Sequence, residues 1–338
     1  MEEERKQKAR ARLNARRMRN NNLQKPIGIR IPYAASALAV VCLIMFTSAE
    51  VYASCSASLS DENTTPKSWQ TKLDVEDKHE DVYTLSDGDV EFLGSFLGDE
   101  TIEKVVANAK TNTDVRWMLD NLNEYETFDA KINKRLFAFA ASEPEATGFA
   151  REFPTHYPSE VGESCDEVEK QSGVPLLYQW DEKWGYTVYS GSAFGFTGCC
   201  PTSLAMVYQG LTGNKDLSPY DMGVLANELG YMTENQGTDA RFLLTQAPAL
   251  GLTCNEIPAT AENIVSILSS KALIIANVGP GDFTEGGHFI VLSGLAKDSS
   301  VIVNDPYSAA KSKQTWDADV IAEQSKSLFV FQLANAQN

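Results

Sequence analysis

From residue 174 onward the apolar residues change period once, and that change limits the fold more than any other feature of the chain. "CPTSLAMVYQGLTG" (200–213), "SPYDMGVLANELG" (218–230), "TDARFLLTQAPALG" (238–251) and "TAENIVSILSSK" (260–271) space apolar residues three and four apart, as helices do. They carry start and stop signals as well: Pro201 in a first turn, Ser218 before Pro219, Thr238 and Thr260 as caps, and Gly210 or Gly213 and Gly230 at ends. "ALIIANV" (272–278), "HFIVLSGLA" (288–296), "SVIVND" (300–305) and "LFVFQL" (328–333) are short β-branched or aromatic runs of strand type. "VPLLYQW" (174–180) reads as one more short strand. Helices first and strands afterwards predict an α+β domain, an antiparallel sheet packed against a helical layer.

Upstream of this domain the chain divides by texture. Residues 143–173 are loop-rich and read as a connection, whereas 90–142 show helical spacing and predict a small helical region. Residues 54–89 are acidic and aperiodic, a linker. Residues 1–30 hold ten Lys or Arg against three Glu, leaving 19 basic and 43 acidic residues after them, a net of −24. A body that acidic is a poor partner for nucleic acid, where affinity comes from neutralising phosphates.

The basic start leads into "IPYAASALAVVCLIMFTSAEVYASCS" (31–56). Its apolar heart, residues 34–46, has signal-peptide length, and counted from 31 to 49 it is just long enough to span a bilayer. Residues 1–53 therefore read as a basic N-terminus plus either a cleaved export signal or a retained anchor, with 54–338 outside the cytoplasm. Export makes disulfides possible among Cys55, Cys165, Cys199, Cys200 and Cys254. Five is an odd number, so at least one thiol stays free unless chains pair.

Two adjacent cysteines at a helix start invite nucleophilic chemistry, because a helix N-terminus favours the thiolate. With Pro201 as the first helical residue, Cys200 becomes the cap and Cys199 the residue before it. A thiol needs a base, and the chain has three histidines. His79 and His156 fall in stretches read as linker and loop, while His288 opens a strand behind the glycine-rich "GPGDFTEGG". An imidazole base needs an orienting partner. Asp305 ends the next strand, and antiparallel pairing brings that end beside His288; Asn304 points to the opposite face. Scattered histidines and the lack of Cys-x-x-Cys give no reason to expect a metal, and no cofactor is expected.

"VPLLYQWDEKWGY", "GCCPTSLAMVYQGLTG", "GGHFIVLSGL" and "VNDP" resemble, in order and spacing, the motifs of the C39-like papain-fold cysteine peptidases. The resemblance covers roughly residues 174–333. It implies a papain-like cysteine peptidase fold, Cys199 as nucleophile, His288 as base, Asp305 as its orienting partner and Gln179 as oxyanion donor. Asp181 and Trp184 fall on positions of structural type. Cys200 departs from the pattern, standing where the family usually has glycine; it is expected to pair with Cys254 or to stay buried, and a vicinal Cys199–Cys200 disulfide is a further alternative. Family members joined to ABC transporters cut leader peptides after a double glycine, but no ATPase or membrane bundle is read here. The expected substrate is a peptide or a cell-wall peptide. The alternatives are a silent binding module on the same scaffold and an acyltransferase.

Overall fold

The computed structural model describes residues 83–160, 162, 170–234 and 236–334. The basic segment, the signal or anchor segment, most of the acidic linker, His79, Cys42, Cys55 and Cys165 lie outside the described residues. Among the described residues no helix is long and apolar enough to cross a membrane.

The fold is α+β. Five helices come first: α1 (Asp87–Gly94), α2 (Asp99–Ala109), α3 (Thr113–Asp120), α4 (Ala130–Ser142) and α5 (Thr147–His156). Next come α6 (Cys199–Thr212), α7 (Pro219–Glu228) and α8 (Arg241–Gln246), then α9 (Ala261–Ser269) and α10 (Ala318–Gln324) among the strands. The strands β1 (Leu252–Ile257), β2 (Leu273–Val278), β3 (His288–Leu295), β4 (Val301–Asn304), β5 (Thr315–Trp316) and β6 (Ser325–Leu333) form one antiparallel sheet. Its spatial order is β5-β4-β3-β2-β6-β1.

Both faces of this sheet are covered, which is why its central strands read as unbroken apolar runs. Leu273, Ile275, Phe289, Val291, Phe329 and Phe331 pack against α6 and α7. Their neighbours Ile274, Ala276, Ile290, Leu292 and Leu328 pack on the other side with Ile264 and Leu268 of α9 and Ile321 of α10.

The helical region does not stand apart from the rest. Phe137, Phe139, Phe149 and Phe153 share one core with Trp180, Tyr186, Ala193 and Phe196. Phe149 stacks on Tyr186 at 4.7 Å, and Phe139 on Phe196 at 6.0 Å. Each buried aromatic of this kind contributes about 1.5–3 kcal/mol by burial alone.

Several sequence expectations are corrected. Residues 143–173 are not simply a connection, since they hold α5 with Pro154 inside it. Proline in the last helical turn is tolerated because burial of Phe149, Ala150 and Phe153 holds the helix together. The run 174–180 is strand only at Val174–Pro175; beyond it, the Gln179 amide donates to Pro306 O instead of a neighbouring strand. α6 begins at Cys199 with Gly198 as its cap, so Pro201 is the third helical residue, still among the N–H groups a helix leaves unpaired. Thr238 caps nothing: it lies in a short strand, and its hydroxyl bonds to Tyr189 at 2.6 Å. β1 was not foreseen, because Asn255 and Glu256 at its centre are polar and exposed at the sheet edge.

Candidate active site

The first helical residue of α6 is Cys199, whose side chain is partly exposed, at the N-terminus of a 14-residue helix. Ser203, one turn later, donates to Phe289 O at 3.2 Å. That bond ties the helix start to the second residue of β3, beside His288, and gives the serine of "CPTS" a positioning task that its spacing did not reveal.

His288 is buried, and its Nε2 lies 2.7 Å from Asp305 Oδ1. The two meet because β3 and β4 are antiparallel, with Asn304 opposite Val291, so the start of one strand lies near the end of the other. With Nε2 taken, Nδ1 is the nitrogen left for the thiol, and Cys199 is close enough to act on the charge of the ring. Burial opposes charge on the ring. The Asp305 carboxylate and the Cys199 sulfur outweigh it, and the pKa of His288 is pushed up to about 10.

Asp305 is fully buried and itself held. Oδ1 also accepts from Tyr307 N at 2.8 Å and Ser308 N at 3.2 Å, while its own N–H donates to Ser312 Oγ at 2.9 Å. Oδ2 is buried without a partner among the described residues. Glu143, at the end of α4, approaches the same turn; burial pushes its carboxyl up, against a hydrogen bond to Ser308 that lowers it.

Gln179 is buried and fixed at both ends. Its backbone donates to Pro306 O at 2.8 Å, one residue past Asp305, and its Nε2 donates to Gly195 O at 2.9 Å, four residues before Cys199. One amide hydrogen remains for another acceptor. Gly195 has no room for a side chain, because a Cβ there would meet Phe149 at 2.5 Å. Phe149 of the helical region thereby fixes the carbonyl that fixes Gln179.

The other candidates lie elsewhere or act as structure. His156 is exposed at the end of α5, near Glu152 and stacked on Tyr186. Asn304 is buried, accepting from Ser293 Oγ at 2.8 Å and donating to Pro175 O at 3.1 Å, away from His288. Trp184 is buried and donates to Tyr178 O at 2.8 Å, and Asp181 O accepts from Gly185 N at 2.7 Å, so both shape the turn after Gln179. Cys199, Cys200 and Cys254 are all free thiols. Neither the vicinal disulfide nor a Cys200–Cys254 pair forms; Cys200 is completely buried, which pushes its thiol well up. A cleft of about 550 Å³ lined by Ser159, Tyr189, Phe194, Tyr220 and Met232 contains none of the four candidate residues. No group of three or more His, Cys, Asp or Glu among the described residues is placed to hold a metal.

Sequence reasoning passed over three residues that bear on this site: Ser203, Gly195 and Arg135 of α4. Ser203 stands inside a quoted motif, but neither it nor the other two shows its contact in the linear pattern, because each acts through an element distant in the chain.

A helix-end thiol, a buried imidazole and a carboxylate on the ring's far nitrogen define the arrangement used by cysteine peptidases, and the sheet and helix around them are consistent with a papain-like fold. Residues 171–337 match the Peptidase_C39 like family, consistent with a C39-like domain over that stretch. No curated protein matches the chain.

Proposed function

We propose that the protein is a thiol hydrolase that cleaves a peptide or amide bond, with Cys199 as nucleophile, His288 as acid and base, Asp305 as its orienting partner and Gln179 as an oxyanion donor. The observation that carries this reading is the buried His288–Asp305 contact of 2.7 Å between the start of β3 and the end of β4, with Cys199 at the start of α6. A ring held charged at neutral pH stabilises a thiolate beside it.

In the first half-reaction the Cys199 sulfur attacks the carbonyl carbon, and the carbonyl π pair moves to oxygen. The free amide hydrogen of Gln179 and the backbone N–H at the helix start receive that charge; a preorganised donor of this kind is worth about 10²–10³ in rate. His288 gives its proton to the leaving nitrogen as the C–N bond breaks. In the second half, water attacks the thioester, His288 takes its proton, and the sulfur leaves. A peptide or a cell-wall peptide is the substrate class we favour. The basic start and apolar segment of residues 1–53 support a site outside the cytoplasm, secreted or anchored.

Alkylation by iodoacetamide near pH 7 tests the reading. Fast modification confined to Cys199 and lost in His288→Ala supports it. Slow modification spread evenly over the thiols sinks it and leaves a binding module on the same scaffold. Product analysis with an added amine separates hydrolysis from acyl transfer.

A further inference from the structure

The helical region presents a cation to the candidate site. Arg135 of α4 places its guanidinium 5.5 Å from the Phe196 ring centre, and Nη1 lies 3.5 Å from Phe196 O, three residues before Cys199. One turn further along α4, Phe139 stacks on Tyr307 at 4.8 Å, and Tyr307 stands edge-on to His288 at 6.3 Å. This face of α4 therefore runs from the short helix Phe194–Thr197, which leads to Cys199, across to the turn that follows Asp305.

Arg135 is half-buried and makes no ion pair among the described residues. Its one hydrogen bond is long, so most of its five N–H donors are unspent. Burial pulls its pKa down, while Tyr307, Cys199 and Asp129 act electrostatically to raise it; an arginine nevertheless remains a cation. A guanidinium lying over an aromatic ring with its donor edge free is the geometry that receives a carboxylate in bidentate fashion. The surroundings add to the argument: the chain after residue 30 carries a net −24, a field that repels anions unless a local cation receives them.

We propose that Arg135 binds a carboxylate of the substrate close to the scissile bond, so that the preferred substrates carry an acidic side chain or a free C-terminus there. This rests on the hydrolase reading above. Arg135 is then a specificity residue supplied by the helical region and not by the family domain.

Two alkylating reagents test it without knowledge of the natural substrate. In iodoacetate and iodoacetamide alike the Cys199 sulfur displaces iodide; the reagents differ in a carboxylate against a carboxamide. Rate constants at Cys199 are measured at pH 7 for the whole protein and for Arg135→Gln and Arg135→Met, the second keeping an apolar stem over Phe196, so that either neutral variant serves. The expected result is a loss of about tenfold for iodoacetate, near 1.4 kcal/mol, with iodoacetamide unchanged within about twofold. Arg135→Lys retains most of the iodoacetate rate. An iodoacetate-to-iodoacetamide ratio that does not move overturns the proposal. So does an equal fall of both rates, which assigns Arg135 to the thiol itself. A wild-type iodoacetamide rate no faster than that of His288→Ala marks a different failure, that of the hydrolase reading, and the proposal falls with it.

Discussion

Replacing Asp305 by Asn keeps the shape of a buried acceptor and removes its charge. Oδ1 receives His288 Nε2 at 2.7 Å, Tyr307 N at 2.8 Å and Ser308 N at 3.2 Å, and an amide oxygen can keep all three. What it cannot keep is the pull on the ring. Burial alone lowers the His288 pKa, and Asp305 supplies the two largest influences that bring it to about 10. An opposite charge in contact accounts for about 1–3 pH units. At 1.36 kcal/mol per unit that is about 1.4–4 kcal/mol between the two ring states. The folded value lies above the ordinary 6.5, so this stabilisation is complete below about pH 6.5 and is lost as the pH rises through about 10. Asp305→Asn is therefore expected to destabilise the fold by about 1.4–4 kcal/mol at about pH 6, and by clearly less at about pH 10.5, where the wild-type ring is also neutral. Urea denaturation at the two pH values measures the difference, and NMR titration of the ring protons locates the ring's midpoint. Equal penalties at both pH values, or an unmoved midpoint, refute the ionic reading of the pair.

Two further predictions concern the frame around the thiol. Gly195→Ala drives a Cβ into Phe149 at 2.5 Å and is expected to cost about 1–3 kcal/mol in denaturant unfolding, partly restored by Phe149→Leu; additive effects of the two changes speak against the contact. Burial pushes the Cys200 thiol well up and the Cys254 thiol to about 12, so neither is expected to take up iodoacetamide at pH 7, and Cys200→Ala leaves the labelling of Cys199 unchanged. Peptide mapping checks this, and label on Cys200 contradicts it.

How much was legible depended on how locally each feature is encoded. The strands holding His288 and the residues before Asp305 were readable, because central strands covered on both faces need unbroken apolar runs. The meeting of His288 with Asp305 followed from antiparallel pairing of neighbours in the sequence. β1 escaped because an edge strand tolerates polar residues, and its partner, β6, lies some seventy residues away in the chain. α5 escaped because Pro154 reads as a breaker, whereas the buried ring of Phe153 just before it holds the last turn. The start of α6 was displaced by two residues because proline is equally acceptable at several first-turn positions. Nothing in a linear pattern could reveal the Phe149–Gly195 contact, which joins residues of two separately read segments.

That last contact changes how the helical region is to be understood. A removable inhibitory segment would be expected to meet the catalytic domain over a surface that can part and leave both sides folded. Here Phe139 and Phe149 lie in a common core with Trp180, Tyr186 and Phe196. Gly195, the residue just before that core's Phe196, supplies the carbonyl that holds Gln179. Glu143 approaches the Ser308 turn that holds Asp305, and Arg135 contacts Phe196 in the short helix before Cys199. Truncating a buried phenylalanine to alanine costs about 3–5 kcal/mol, and removing the helices would expose several at once. Against a typical total stability of about 5–15 kcal/mol, such a loss leaves little to keep Gln179 and Asp305 in place. The helical region is thus bound into the domain through the same residues that shape the site, and it carries Arg135, packed against Phe196, as part of that frame.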